Sequence, residues 1–143
     1  MLSDTAEYAL RAVLYIAQHD ADGPVRAKVV ADSLDVPRNY LSKILYVLAR
    51  EGILISMRGA AGGFRLAHDP AELRLDSVVE PFEEIDPART CILGRPECSE
   101  GDPCRAHMAW REITERKSAF LRGTTVADLI AVPEESEGEG ATP

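Results

Sequence analysis

Two short apolar helical patterns either side of a proline turn, followed at once by a glycine-rich hairpin, constrain this chain more than any other feature. Residues from about 26 to 34 read as a helix with Val29, Val30 and Leu34 inward. The run Asp35-Val36-Pro37 then breaks the pattern, because proline disfavours helical geometry in the residue before it yet suits the first turn of the next helix. A further helix over about 38–50 sets Leu41, Ile44, Leu45 and Leu48 at the i, i+3, i+4, i+7 spacing of one buried stripe. Glu51-Gly52 closes it with a left-handed glycine cap. Ile53 to Met57 favours a strand, Arg58-Gly59-Ala60-Ala61-Gly62-Gly63 supplies residues able to turn at positive φ, and Phe64-Arg65-Leu66 resumes an extended alternation. The order helix, turn, helix, hairpin is that of a winged helix-turn-helix. The expected fold class is therefore mainly α with a small β-hairpin wing, ending in a long C-terminal helix.

The flanks fill in the rest. Asp4 and Glu7 read as a capping-box pair opening a first helix, whose Leu10, Val13, Leu14 and Ala17 form an apolar stripe stopped by Gly23-Pro24. After the wing, a short helix from Leu75 to Glu83 begins at Asp76 or Ser77 and is bent or ended by Pro81. A loop of little periodicity follows to Pro103, and helical spacing returns over about 104–122, with Ala106, Ala109, Trp110, Ile113, Phe120 and Leu121 largely on one face and Lys117 interrupting it. A long helix with the only Trp, so near the end of a small chain, finds little core to cover it and is expected to pair with a second copy; the alternative is that it packs back on its own domain. Thr124 or Thr125 caps a last helix through Ile130, and the acidic stretch from Pro133 to Pro143 has the composition of a disordered tail. The expected organisation is a DNA-binding domain over 1–80, a cysteine loop and dimerisation helix over 81–131, and an acidic tail over 132–143.

Charge is split along the chain. Residues 1–66 hold eight Lys/Arg against seven Asp/Glu, whereas 67–143 hold eight against seventeen, so a net charge of −8 is +1 in the first part and −9 in the second. Phosphate attraction is local, and residues 26–65 carry seven basic against three acidic side chains. With the buried stripe of the 38–50 helix inward, Asn39, Ser42, Lys43 and Tyr46 face out, with Arg38 and Tyr40 beside them. Arg58, Gly59, Gly62, Gly63 and Arg65 form the wing, and Lys28 lies on the preceding helix. Arg, Lys, Asn and Ser can bond phosphates or base edges, so this set is the candidate surface for double-stranded DNA. The alternative is an ordinary solvated charged face. No apolar run approaches the roughly 20 residues of a membrane span, and a cytoplasmic protein is expected. No phosphate loop, catalytic triad or paired catalytic carboxylates stand out, so an enzyme is not expected.

All three cysteines fall within fourteen positions, in the pattern C-x6-C-x5-C-x2-H from Cys91 through Cys98 and Cys104 to His107. Clustered thiolates, with imidazole as a substitute, suit an iron-sulfur cluster or zinc; the absence of paired C-x2-C knuckles favours the cluster. An odd count argues against a full set of internal disulfides. A metal-free thiol switch, Cys91 as a small core residue and His107 as a surface residue all stay open.

Glu-Tyr-Ala-Leu-Arg-Ala within Ser3 to Ala17, Pro37 to Leu48, the wing from Arg58 to Leu66, and the cysteine loop followed by the Trp-bearing helix and Thr124-Thr125-Val126-Ala127-Asp128-Leu129 resemble the Rrf-type family of bacterial winged-helix regulators, the IscR- and NsrR-like proteins. The resemblance runs to about Ala131. It implies a homodimer that binds DNA, a long crossing dimerisation helix, and an iron-sulfur cluster, 2Fe-2S or alternatively 4Fe-4S, whose state changes DNA affinity. By this resemblance Cys91, Cys98 and Cys104 are ligands and His107 is the fourth, with Glu7, donated across the dimer, as the alternative. The chain departs from those members by one more residue between Cys91 and Cys98. The expected function is a transcriptional repressor sensing redox, nitric oxide or iron-sulfur status. The rivals are the same fold with zinc, bare thiols or no metal, and a redox or protein-interaction module that does not touch DNA.

Overall fold

A computed structural model describes residues 2–95 and 104–131 of the chain. Cys98 and the acidic tail lie outside the described residues. The first helix, α1 (Asp4–His19), is packed against most of the rest of the domain. Its cap is Ser3, whose Oγ accepts from the Ala6 N–H at 3.2 Å, so the expected Asp4–Glu7 box is corrected. Both carboxylates lie instead in the first turn, where the helix dipole favours negative charge. The buried stripe is also rotated from the expected one: Ala6, Ala9, Ala12, Val13 and Ile16 are buried, while Leu10, Leu14 and Ala17 are only partly covered. Packed on several sides, α1 turns its small residues to the closest approaches.

Helices α2 (Ala27–Leu34) and α3 (Arg38–Arg50) follow. The turn between them depends on more than proline. Asp35 sits in the left-handed region at φ +54°, and the N–H groups of Asp35 and Val36 return to the carbonyls of Asp32 and Ala31 at 3.3 and 3.0 Å. These bonds satisfy end carbonyls of α2, and aspartate is among the few residues that tolerate that conformation. Pro37 then serves as the N-cap residue of α3. On α2 the inward pair is Val30 and Ala31; Val29, expected inside, is 45% exposed. The α3 stripe is as expected, with Leu41, Ile44, Leu45 and Leu48 all buried.

The wing is an antiparallel pair, β1 (Leu54–Met57) and β2 (Gly63–Leu66), in the register Leu54 opposite Leu66 and Met57 opposite Gly63. Val25 bridges to Phe64 through reciprocal N–H to carbonyl bonds of 2.8 and 2.7 Å, which tie the hairpin to the segment before α2. Gly63 lies at φ +149°, and a Cβ there would meet the Val25 carbonyl carbon and oxygen at 2.6 Å.

Beyond the wing, α4 (Leu75–Val79) ends before Pro81, shorter than expected. The C-terminal helices α5 (His107–Gly123) and α6 (Val126–Ile130) are joined by Thr125, which forms a capping box with Asp128. This junction returns to the core: Leu75 N–H donates to Thr124 O at 3.0 Å, Val126 N–H donates to Leu73 O at 2.8 Å, and Leu121 and Val126 are buried with α1.

The wing's backbone geometry makes a prediction. Gly63→Ala is expected to destabilise the protein by roughly 2–3 kcal/mol, because strained φ and a backbone clash coincide. Gly123→Ala, in helical backbone with nothing within 4 Å of the added Cβ, is expected to stabilise it by roughly 0.5 kcal/mol. Chemical denaturation of the two variants checks the opposite signs.

Candidate nucleic-acid interface and cysteine-bearing segment

With its leucine stripe inward, α3 presents Asn39, Lys43, Tyr46 and Arg50 at i, i+4, i+7 and i+11, all four exposed. Arg50 completes this row. The sequence reading missed it as a site residue, although the spacing from Tyr46 was there to extend; its nearest acid, Glu51, is 3.9 Å away in an exposed contact. Arg38 is exposed on the flank, Ser42 is half-buried, and Lys28 is exposed in the first turn of α2. No side chain caps the N-terminus of α3, so its first N–H groups point outward near Arg38 and Asn39, an arrangement suited to phosphate oxygens. Between α3 and the wing runs an open groove of about 480 Å³ lined by Tyr46, Ala49, Arg50, Ser56 and Arg58.

Not every expected contact residue is offered to a ligand in the same way. Arg58 and Gly59 are exposed at the wing turn. Gly62 is buried and its N–H closes the turn on Gly59 O at 3.0 Å; a Cβ there would meet Met57 O at 2.3 Å. Gly62 and Gly63 thus have structural reasons to be glycine. Arg65 is drawn into an ion pair with Asp20, Nε to Oδ1 at 3.4 Å. Tyr40, on the flank of α3, meets the Thr5 Oγ1 with its hydroxyl at 2.6 Å and stands edge-on to Tyr8. Arg26, which the sequence reading left out of the site, donates to the Ala60 carbonyl and braces the wing tip. A brace of this kind has no local periodicity to betray it, since its partners are 34 residues apart.

The cysteine-bearing segment leads into α5. Cys91 and Cys104 are half-buried, and His107, at the first position of α5, is 4% exposed with its N–H donating to Cys104 O at 3.0 Å. His107 is therefore no surface residue. Two thiols and a buried imidazole are of the right chemical type for an iron-sulfur centre. Among the described residues, no three side chains of His, Cys, Asp or Glu come together as a metal-holding group. Glu7 lies in the first turn of α1.

The seat of α5 corrects the expected apolar stripe. The side turned to its own domain buries His107, Thr114, Ser118 and Leu121, whereas Met108, Ile113 and Phe120 are 77, 57 and 58% exposed. Of the expected stripe, only Leu121 is fully buried and Trp110 and Ala106 partly so. Among the described residues, Trp110 Nε1, Ser118 Oγ and Glu83 Oε2 are buried without a hydrogen-bond partner, while Lys117 Nζ reaches Glu83 Oε1 at 3.4 Å. The helix therefore packs back on its own chain through a polar, incompletely satisfied face, and leaves its more apolar edge open.

Comparison with known proteins bears on what this arrangement does. Residues 2–132 match the family model described as "Rrf2: Iron-dependent Transcriptional regulator". The chain is 34% identical over 136 residues to a protein of Aquifex aeolicus described as an HTH-type transcriptional regulator, covering 94% of each chain. It is 33% identical over 129 residues to the HTH-type transcriptional regulator IscR of Serratia proteamaculans, covering 90% of this chain and 78% of that one. Its fold is similar to that of T. potens IscR, with a TM-score of 0.75 at 24% identity over 97% of this chain and 92% of that one. It is also similar to CymR, the global cysteine regulator of B. subtilis, with a TM-score of 0.76 at 24% identity over 91% of this chain and 95% of that one. Among the described residues no helix is long and apolar enough to cross a membrane.

The seat of α5 is testable on its own. A buried hydroxyl without a partner costs free energy, so Ser118→Ala is expected to raise stability by roughly 1 kcal/mol. Thr114→Val, which deletes a bond to Arg111 O of 3.0 Å, is expected to lower it by a similar amount. Thermal unfolding of both variants reads the two signs.

Proposed function

Because the chain belongs to the Rrf2 family of transcriptional regulators, we propose that it acts as a homodimeric repressor on double-stranded DNA, with α3 reading the major groove and the wing on the adjoining backbone. The chain is a regulator of this family rather than an enzyme. The observation that carries the reading is the exposed row Asn39, Lys43, Tyr46 and Arg50 beside a braced wing bearing Arg58. Such a row offers charge to phosphates and hydrogen bonds to base edges on one helix face. Lys28, Arg38 and Ser42 extend it, while Tyr40, Gly62, Gly63 and Arg65 support its shape.

Dimerisation would cover the open edge of α5, since Ile113 and Phe120 are large apolar side chains in solvent and Trp110 lies between them and the buried face. An exposed apolar strip on one helix is the usual mark of a helix-pairing surface. A two-fold pair of this kind would set two α3 helices toward successive major grooves. We place the protein in the cytoplasm with its DNA.

For sensing, we propose that Cys91, Cys98 and Cys104 hold an iron-sulfur cluster, 2Fe-2S before 4Fe-4S, with His107 as the fourth ligand and Glu7 as the alternative. Bound there, the cluster would supply a centre whose charge and ligation respond to oxidants, nitric oxide and iron supply. The chain's own part is to hold the α5 start in one position: His107 is buried at its first turn, and the incompletely satisfied contacts of Trp110, Ser118 and Glu83 make the helix seat cheap to shift. A thiol switch on the same DNA-binding fold is the second reading, which the half-buried thiols of Cys91 and Cys104 would equally serve.

Protein purified without air is expected to be coloured and to carry stoichiometric iron and acid-labile sulfide, and Cys98→Ala is expected to lose both. Arg38→Glu and Lys43→Glu are each expected to weaken binding to a duplex selected from a random pool by about tenfold and to flatten the salt dependence by about one phosphate contact. Colourless, iron-free protein that still binds duplex would replace the cluster with the thiol reading. Absence of duplex binding at low salt would end the regulatory reading.

A further inference from the structure

The first turn of α3 has no side-chain cap. Its N-cap residue is Pro37, and no side chain there accepts from the first N–H groups. Tyr40, the third residue of the helix, is aligned with neither the buried stripe nor the exposed row, and its ring leans on α1. The rings of Tyr40 and Tyr8 stand 5.9 Å apart at 86°, the edge-on arrangement that aromatic quadrupoles favour. The Tyr40 hydroxyl and Thr5 Oγ1 are 2.6 Å apart, a short O–H···O bond. The guanidinium of Arg11 lies over the Tyr8 ring at 5.6 Å, which fixes the ring from behind. The far end of this chain of contacts is firm, because α1 is capped by Ser3 and sunk into the core through Ala6, Ala9 and Ala12.

We propose that Tyr40 is a positioning residue rather than a DNA contact: bonded to Thr5 and braced on Tyr8, it clamps the first turn of α3 to α1 and thereby sets the register in which Asn39 meets a base edge and Lys43 a phosphate. The inference rests on the DNA-binding reading above and deepens it. Asn39 is the preceding residue and Lys43 lies about one turn on, so a pivot of the uncapped first turn moves both. Phosphate contacts made by long flexible side chains tolerate such a shift, whereas bidentate contacts to base edges do not. The clamp therefore governs specificity more than bulk affinity. It also makes the first turn of α1 mechanically continuous with the reading helix, so anything that moves residues 3–8 moves the register.

The test uses anaerobically purified full-length protein, a duplex selected by it from a random pool, and an unselected duplex of equal length. Tyr40→Phe removes the hydroxyl and keeps the ring; Thr5→Val removes its partner on a helix that carries none of the exposed row. Each is expected to lower affinity for the selected duplex about three- to tenfold, the scale of one hydrogen bond, while leaving the unselected duplex and the salt slope unchanged. The double variant is expected to lose no more than either single one, since both remove the same bond. Thermal unfolding of each variant establishes that it is folded. Wild-type affinity in Thr5→Val would overturn the clamp and return Tyr40 to direct contact, and so would losses that multiply in the double variant or fall equally on both duplexes. Failure of the wild type to enrich any duplex would instead remove the DNA-binding reading beneath it.

Discussion

The structure depends on the two-sided character of α3. Burial of Leu41, Ile44, Leu45 and Leu48 contributes on the order of 1.5–3 kcal/mol for each side chain. That commitment leaves no freedom in how the helix is rotated about its axis. The residues opposite are therefore exposed by necessity, and what lies there, Asn39, Lys43, Tyr46 and Arg50, is polar or aromatic. Being held by its apolar side and furnished with hydrogen-bonding groups on the other is what makes α3 our proposed reading head. The rest of the domain keeps that head in place: α1 behind it, the αL turn at Asp35 before it, and the wing after it.

The wing shows how backbone constraint and charge are divided. Its position comes from the Val25–Phe64 bridge and from the absence of a side chain at Gly63. Of the basic residues nearby, Arg26 and Arg65 are engaged within the protein, on Ala60 and Asp20. Arg58 stays exposed at the wing turn. Counting positive charge along the sequence thus overstates what a polyanion meets, and the useful positive charge is concentrated on α3 and the wing tip.

Much of this was legible before any coordinates. The α3 stripe, the hairpin and the Thr125 cap follow from local rules of period, turn chemistry and capping, which depend on neighbours in sequence. What was missed depends on neighbours in space. The rotation of the α1 stripe toward its alanines reflects packing on several sides at once. Val29 is exposed because α2 needs only Val30 and Ala31 to meet its neighbours. The inward face of α5 is polar, with His107, Thr114 and Ser118, so an apolar periodicity search selects its open edge instead. Tyr40 and Arg65 have the residue types of DNA contacts, and only the distances to Thr5 and Asp20 reveal their other engagements. Arg50 was within reach of the sequence, had the exposed row been carried one turn further.

Under the proposed function, ligand contact falls on one face, built from α3 and the wing, with α5 responding only through the frame. Amide hydrogen exchange with and without a selected duplex measures this directly. Slowed exchange is predicted over residues 38–50 and 54–66, with the α4 segment at 75–79 unchanged. Slowed exchange confined to the C-terminal helices, with the 38–50 segment unaffected, would contradict the account.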